Sequence, residues 1–166
     1  MFWIEEVINK VDKSKFQIIN DSKTPSGEPH VGSLRGVLIH DAIFKFLNSH
    51  DIPAKYTFGS DDYDPLDEIP KGQDEHFEKY LGMPLCNVPA PVNSNYTDMA
   101  DHFISGFFET FRKLGVQTET YRMRDIYRSG KFNNAIDKIL SNSDKIRGIY
   151  ESISGSKKSR LYIYSK

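Results

Sequence analysis

Several features that mark whole classes of protein are missing from this chain of 166 residues. It has one cysteine, Cys86, which excludes a disulfide framework and an all-cysteine metal site and indicates a reducing compartment. Lys plus Arg is 22 and Asp plus Glu is 23, so the net charge of −1 excludes a uniformly basic nucleic-acid coat. No apolar run approaches the roughly 20 residues of a membrane span. We expect a cytoplasmic protein with no membrane partner and no DNA partner.

Common metal and phosphate motifs are missing too. Four histidines have no metal-ligand spacing with a cysteine, so no metal site is expected; they are His40, His50, His76 and His102. A Walker A loop, Gly-x-x-x-x-Gly-Lys-Ser/Thr, does not occur. Any nucleotide must therefore be bound by another kind of loop.

What is present is an alternation of helical and extended segments, which predicts an α/β domain. Apolar residues recur at helical spacing over 2–11 and again over 34–47. Short apolar runs at Phe16–Asn20 and Ala54–Phe58 are typical of buried strands, and a loop is expected at Asp21–Pro29. Because parallel strands need a crossover, this strand–helix–strand order predicts a βαβ unit in a parallel sheet flanked by helices.

The later part of the chain continues this pattern. We predict a helix at Met99–Leu114 with Gly115 as its C-cap, a strand at Val116–Met123 and a helix at Phe132–Leu140. The stretch Asp61–Asn95 has five prolines and little periodicity, which predicts a long structured loop over one edge of the sheet. We assign residues 1–150 to one domain and 151–166 to a flexible basic tail.

The most informative segment is Thr24–Arg35, Thr-Pro-Ser-Gly-Glu-Pro-His-Val-Gly-Ser-Leu-Arg, which we call the signature segment. It lies between a predicted strand and a predicted helix, where open α/β sheets bind ligands and where a helix N-terminus favours an anion. Gly32 leaves room for a base or sugar against the backbone, and His30 can donate to a phosphate oxygen. An ordinary loop, with turns at Gly27 and Pro29, is the alternative.

The signature segment resembles the "HIGH" region of class I aminoacyl-tRNA synthetases, and in particular of the class I lysyl-tRNA synthetases. Three further segments resemble that family in the same order: Ser60–Asp64 with Ile69-Pro70, Tyr80–Pro84 with Val88-Pro89, and Tyr127–Phe132. The resemblance covers roughly Phe2 to Tyr150. It implies a Rossmann-like fold and the first half of a catalytic domain.

By this resemblance, the chain takes part in ATP-dependent activation of lysine for tRNA(Lys), with Mg²⁺ accompanying ATP. The resemblance assigns catalytic roles to His30 and Ser33, ATP contacts to Thr24, Ser26, Gly27, His30 and Gly32, and substrate contacts to Thr24, Asp61, Asp62 and Tyr63. For the acidic segment at 61–64, a solvated Asx-type loop is the alternative.

Two positions depart from the family pattern. Ser33 stands where the family has His or Asn, and its hydroxyl reaches less far. Gly36 stands where the family commonly has an acidic residue suited to a substrate ammonium, which puts lysine selection in question. Family members also continue into a second half-domain, a "KMSKS"-type loop and an anticodon-binding region. Ile153–Lys157 resembles that loop, but a flexible basic end is favoured here.

Two other functions are kept as alternatives. One is a small nucleotidyltransferase of the same superfold, such as a phosphopantetheine adenylyltransferase. The other is a non-catalytic paralogue that binds nucleotide or tRNA. The stretch Asp61–Pro91 favours the synthetase over the nucleotidyltransferase, because it resembles the former and has no counterpart in the latter.

Overall fold

The structure, a computed structural model, describes residues 3–70 and 75–155. Its helices are α1 (Trp3–Lys10), α2 (Leu34–Ser49), α3 (Met99–Leu114), α4 (Met123–Arg128), α5 (Asn133–Ser141) and α6 (Ser143–Ser154). Its strands are β1 (Gln17–Lys23), β2 (Ala54–Ser60) and β3 (Glu119–Arg122). Short 3₁₀ turns at Val31–Ser33, Glu75–Tyr80 and Leu85–Asn87 complete the regular structure of the described residues.

The three strands form one parallel sheet in the order β1-β2-β3. This confirms the predicted βαβ unit and the α/β class with a parallel sheet flanked by helices. Lys23 pairs with Ser60, and Ser60 pairs with Arg122, so all three strands end side by side. The loops that leave the strands therefore meet at one edge, which we call the carboxyl edge of the sheet.

The strand boundaries differ from those that the sequence predicts. β1 continues to Lys23 rather than ending at Asn20, because it pairs with β2 along its whole length, so the predicted loop begins at Thr24. β3 covers Glu119–Arg122 alone, since helix α4 begins directly after it. Helices α4 and α6 were not among the predicted elements.

The main core lies between the sheet and helices α2 and α3. Phe58 of β2 packs edge-on against Phe111 and Phe107 of α3, with ring centroids 5.0 and 5.9 Å apart. Val37 of α2, which is fully buried, completes this cluster from the other helix. Helix α3 ends at Gly115, whose φ of 68° is left-handed, and this confirms the predicted C-cap.

The loop between β2 and α3 carries a second core of its own. Leu66, Leu85 and Val88 are fully buried, and they pack with Phe77 against Met99 and its neighbours at the start of α3. The loop leaves the carboxyl edge of the sheet, where the Asp61 amide donates to the Lys23 carbonyl at 3.0 Å. The stretch is therefore structured, as predicted, by apolar packing rather than by long helices or strands.

Helices α5 and α6 contact each other and bury none of their residues. Helix α6 runs to Ser154, so the first residues of the segment assigned to the tail are helical. The segment 156–166 lies outside the described residues. Within the described ranges, no helix is long and apolar enough to cross a membrane.

Candidate active site

The signature segment begins where β1 ends. Thr24 follows Lys23 directly, and its Oγ1 donates to Oδ2 of Asp64 at 2.7 Å. Asp64 belongs to the loop that leaves the neighbouring strand β2. This hydrogen bond therefore ties together two of the loops that meet at the carboxyl edge, across 40 residues of sequence.

His30 caps the 3₁₀ turn that leads into α2. Its Nδ1 accepts a hydrogen bond from the Gly32 amide at 3.0 Å. Because Nδ1 accepts, the neutral ring carries its proton on Nε2, which is a donor. The side chain is exposed, so this Nε2–H is available to a ligand.

Gly32 makes the His30 geometry possible. A Cβ at position 32 would lie 2.7 Å from Cε1 and 2.8 Å from Nδ1 of His30, which is closer than real contacts allow. The sequence indicated that Gly32 leaves room for a nucleotide. In the structure, that room is taken by the imidazole ring of His30.

Two adjoining cavities open beside the signature segment. They have volumes of about 540 and 460 Å³, and Ser26 and Glu68 line both of them. The first is lined by Ser26, Gly27, Glu28, His30, Glu68, Ile69, Pro70 and Phe103, and the second by Thr24, Ser26, Asp64, Pro65, Asp67 and Glu68. Thr24, Ser26, Gly27 and His30 thus face one joined cleft, whereas Gly32 does not line it. Its size suits a small-molecule ligand.

The cleft is lined mainly by carboxylates. Asp64, Asp67 and Glu68 come from the loop after β2, and Glu28 comes from the signature segment. Glu28 also lies 3.9 Å from Nε2 of His102 on α3. An acidic lining attracts cationic groups, and it favours a polyphosphate that arrives with its own divalent cation over a bare one.

Asp61 and Tyr63, two of the predicted substrate contacts, lie near this edge of the sheet. Burial raises the pKa of the Asp61 carboxyl, and a hydrogen bond with Ser22 opposes that rise in part. The Tyr63 ring stacks on the Tyr127 ring, with centroids 4.5 Å apart and planes at 11°. This stack joins two segments that resemble the family, and both residues stay candidates for substrate contact.

Asp62 lies elsewhere than predicted. Its side chain is completely buried, and its Oδ2 accepts from Nε of Arg122 at 2.8 Å and from Nε of Arg124. Its Oδ1 accepts from the Arg124 amide at 2.8 Å. Since both oxygens are engaged inside the protein, Asp62 is a structural residue in this arrangement, which corrects its assignment to the substrate.

Asp62 belongs to a group that sequence reasoning missed. This group, the aspartate–arginine cluster, comprises Asp62, Asp98, Asp101, Arg122 and Arg124. Both guanidinium nitrogens NH1 and NH2 of Arg124 donate to the Asp98 carboxylate, at 2.8 and 3.0 Å. Burial alone would raise the pKa of Asp98, but the bonds from Arg124 and from the Asp101 amide lower it. The partners are 21 to 62 residues apart, so no local pattern announces them.

Ser33 is the second residue with a predicted catalytic role. Its amide donates to the His30 carbonyl at 2.8 Å, and its side chain makes no capping hydrogen bond to α2. The backbone of Ser33 therefore closes the turn, while the role of its hydroxyl stays a prediction.

Comparison with known families identifies the class of protein. The model for class I tRNA synthetases (K) matches residues 1–165. The chain therefore belongs to this family, in agreement with the parallel sheet and the resemblance of its signature segment.

Individual relatives narrow the comparison. The chain is 35% identical over 155 residues to the lysine–tRNA ligase of Methanococcus maripaludis, covering 92% of this chain and 29% of the relative. It is 35% identical over 152 residues to the enzyme of that name from Methanocaldococcus jannaschii, covering 90% and 28%. For the Methanosarcina barkeri lysine–tRNA ligase the identity is 32% over 151 residues, covering 91% and 27%. The chain thus spans less than a third of the length of these relatives.

Proposed function

We propose that this chain forms the first part of the catalytic domain of a class I lysine–tRNA ligase, and that it binds ATP for the activation of lysine destined for tRNA(Lys). The observation that carries the proposal is the His30 ring. Its Nδ1 is held by the Gly32 amide, and its Nε2–H is left free beside the cleft at the carboxyl edge. The names of the relatives support lysine and tRNA as the substrates.

The reaction makes clear demands on this cleft. The lysine carboxylate attacks the α-phosphate of ATP, the lysyl-adenylate forms, and pyrophosphate leaves. Negative charge builds on the α-phosphate in the transition state, and donors already aimed at it lower the barrier. We assign this task to Nε2–H of His30, with Ser33 as a second donor. The hydroxyls of Thr24 and Ser26, together with the close backbone approach at Gly27, hold ATP and lysine.

Mg²⁺ is assigned to ATP rather than to a dedicated protein site. Across residues 3–70 and 75–155, no group of three or more His, Cys, Asp or Glu side chains could hold a metal ion. Mg²⁺ commonly binds through substrate phosphates with one or two carboxylates and retained waters. Asp64, Asp67 and Glu68 line the cleft and could supply such carboxylates. A magnesium ion would supply charge neutralisation on the phosphates.

We expect the 166 residues by themselves not to charge tRNA. The described cleft offers His30 on the attacking side, but no lysine or arginine among its lining residues to meet the leaving pyrophosphate. Missing charge stabilisation at a reacting phosphate costs several kcal/mol, and about 1.4 kcal/mol is a tenfold loss of rate. The net charge of −1 also gives no broad attraction to RNA. Robust charging by purified residues 1–166 would contradict this account of the missing cation.

The test of the proposed function is binding of MgATP, measured by calorimetry on the 166-residue chain. We expect weak binding in the wild type and weaker binding in His30→Ala. The matched control is His50→Ala, which removes an exposed histidine at the end of α2 and should leave binding unchanged. In any form that performs lysine-dependent pyrophosphate exchange, His30→Ala should lower the rate by about 10²- to 10³-fold. Equal binding by the wild type and His30→Ala would place the nucleotide elsewhere.

The nucleotidyltransferase alternative is not favoured, because the family match includes the whole stretch 61–91. A non-catalytic nucleotide- or tRNA-binding role is distinguished by the same assays. It predicts MgATP binding without any lysine-dependent exchange in a longer form of the protein.

A further inference from the structure

The space that Gly36 leaves open is occupied by another carboxylate. Gly36 lies in the first turn of α2, directly after the signature segment. A Cβ at position 36 would lie 2.9 Å from Oδ2 of Asp21, which stands on β1 facing this helix. The first turn of α2 therefore has an acidic group beside it, although the acid comes from the strand rather than from the helix.

The carboxylate of Asp21 is not neutralised by a fixed cation. Its Oδ2 lies 3.0 Å from Nδ1 of His40, and its Oδ1 accepts from the Ser22 amide at 2.9 Å. Within the described part of the chain, no lysine or arginine forms an ion pair with it. Asp41, on the next turn of α2, differs because Lys45 pairs with it at 2.7 Å. About a quarter of the Asp21 side chain, 24%, is exposed.

The distance along β1 suits a lysine that spans the two ends. Asp21 precedes Thr24 by three residues, which is about 10 Å of extended strand. The carboxyl carbon and the Nζ atom of an extended lysine are separated by six bonds, or roughly 7–8 Å. A lysine whose carboxyl group lies near Thr24 could therefore bring its ammonium within hydrogen-bonding reach of Asp21.

We propose that Asp21 is the residue that selects the substrate ammonium, taking the place of an acidic side chain at position 36. This inference rests on the proposed function, since it concerns the amino acid of the same site. Asp21 and Gly36 are complementary in this view: a side chain at 36 would displace the carboxylate, and its absence makes room for it. His40 positions the carboxylate from the side away from Gly36.

The experiment compares lysine with norleucine, which has the same carbon chain without the ammonium group. Binding to the 166-residue chain is measured by ligand-observed NMR, and MgATP binding is measured in parallel by calorimetry. We expect Asp21→Asn to weaken lysine binding by about 10- to 100-fold, the range of a lost hydrogen bond to a charged group. Norleucine and MgATP binding should not change.

Two further variants separate selection from folding. The double variant Asp21→Ser with Gly36→Glu moves the carboxylate from the strand to the helix and should restore the preference for lysine over norleucine. Asp137→Asn removes an exposed carboxylate on α5 and should change nothing. Circular dichroism of every variant reports whether the fold is retained.

The outcomes distinguish this inference from the function on which it rests. If the wild type binds MgATP and lysine, and folded Asp21→Asn binds lysine equally well, Asp21 does not select the ammonium and the proposed function stands. If the wild type binds lysine no better than norleucine, the inference is also wrong. Binding of neither MgATP nor lysine would contradict the proposed function itself.

Discussion

Two polar regions meet at the carboxyl edge of the sheet, and they are built in opposite ways. In the signature segment, His30 is exposed and its Nε2 donor faces a cleft. In the aspartate–arginine cluster, Asp62 is completely buried and both of its oxygens accept hydrogen bonds. The two regions are separated by one loop, since Asp64, two residues after Asp62, accepts from Thr24.

The difference shows which polar groups are available to a ligand. A buried charge is expensive to desolvate and persists only when its partners satisfy it, so the cluster is spent on holding β2, β3 and the start of α3 together. An exposed donor costs little to leave unpaired, because water satisfies it. The cluster therefore fixes the edge of the sheet, and the signature segment presents donors on it.

The largest expected effect comes from breaking the cluster. Asp62→Ala leaves Arg122 and Arg124 short of a buried counter-charge, which should lower the free energy of unfolding by about 3–5 kcal/mol. Asp64→Ala removes an exposed carboxylate from the same loop and should cost about 1 kcal/mol, the value of its bond to Thr24. Urea unfolding of both variants measures the contrast. Equal losses would mean that burial does not separate the two regions.

A smaller effect is expected from the exposed side of the comparison. Gly32→Val should displace the His30 ring, because Cβ would meet it at 2.7 Å. We expect MgATP affinity to fall by about tenfold or more, with the free energy of unfolding changed by less than about 1 kcal/mol. Gly106→Ala is the control, since nothing lies within 4 Å of the added Cβ. Unchanged calorimetric affinity in Gly32→Val would remove Gly32 from the site.

The smallest effect sharpens the comparison through pH. The pKa of Asp98 is lower in the folded protein than its ordinary value of 3.8, so its stabilising contribution is complete above that value. It is lost as the pH falls through the lowered pKa. Asp98→Asn keeps the helix cap but not the charge, and should cost about 1–2 kcal/mol at pH 7.

The measurement is urea unfolding of the wild type and Asp98→Asn from pH 7 to about pH 2.5. The gap between them should stay constant down to about pH 4.5 and then narrow, because both proteins are then neutral at this position. Asp137→Asn should show no such narrowing. A gap independent of pH would show that the charge of Asp98 does not stabilise the fold.

Much of the architecture could be predicted from local patterns. Helical spacing located α3, and Gly115 marked its end, because a left-handed cap is a local requirement. The alternation of strand and helix indicated parallel strands. The ends of β1 and β3 could not be predicted in this way, since strand length depends on the partner strand rather than on the segment itself.

The candidate site divides along the same line. The position of His30 after a strand and before a helix was enough to expect it at the carboxyl edge. The burial of Asp62 was not predictable, because Asp61, Asp62 and Asp64 look alike in sequence. Which of them is enclosed depends on Arg122 and Arg124, about 60 residues away. Likewise, Gly36 signals a missing acid, and the fold alone places Asp21 against it.

The sequence by itself determined the α/β class, the parallel βαβ unit and the segment that carries the signature, because periodicity, caps and motif spacing act over a few turns of chain. The tertiary structure alone decided which carboxylates are paired inside and which line the cleft, and that the ring of His30 rests over Gly32. The physical reason is that burial and charge pairing join residues from separate elements, so their energies are settled only when those elements pack.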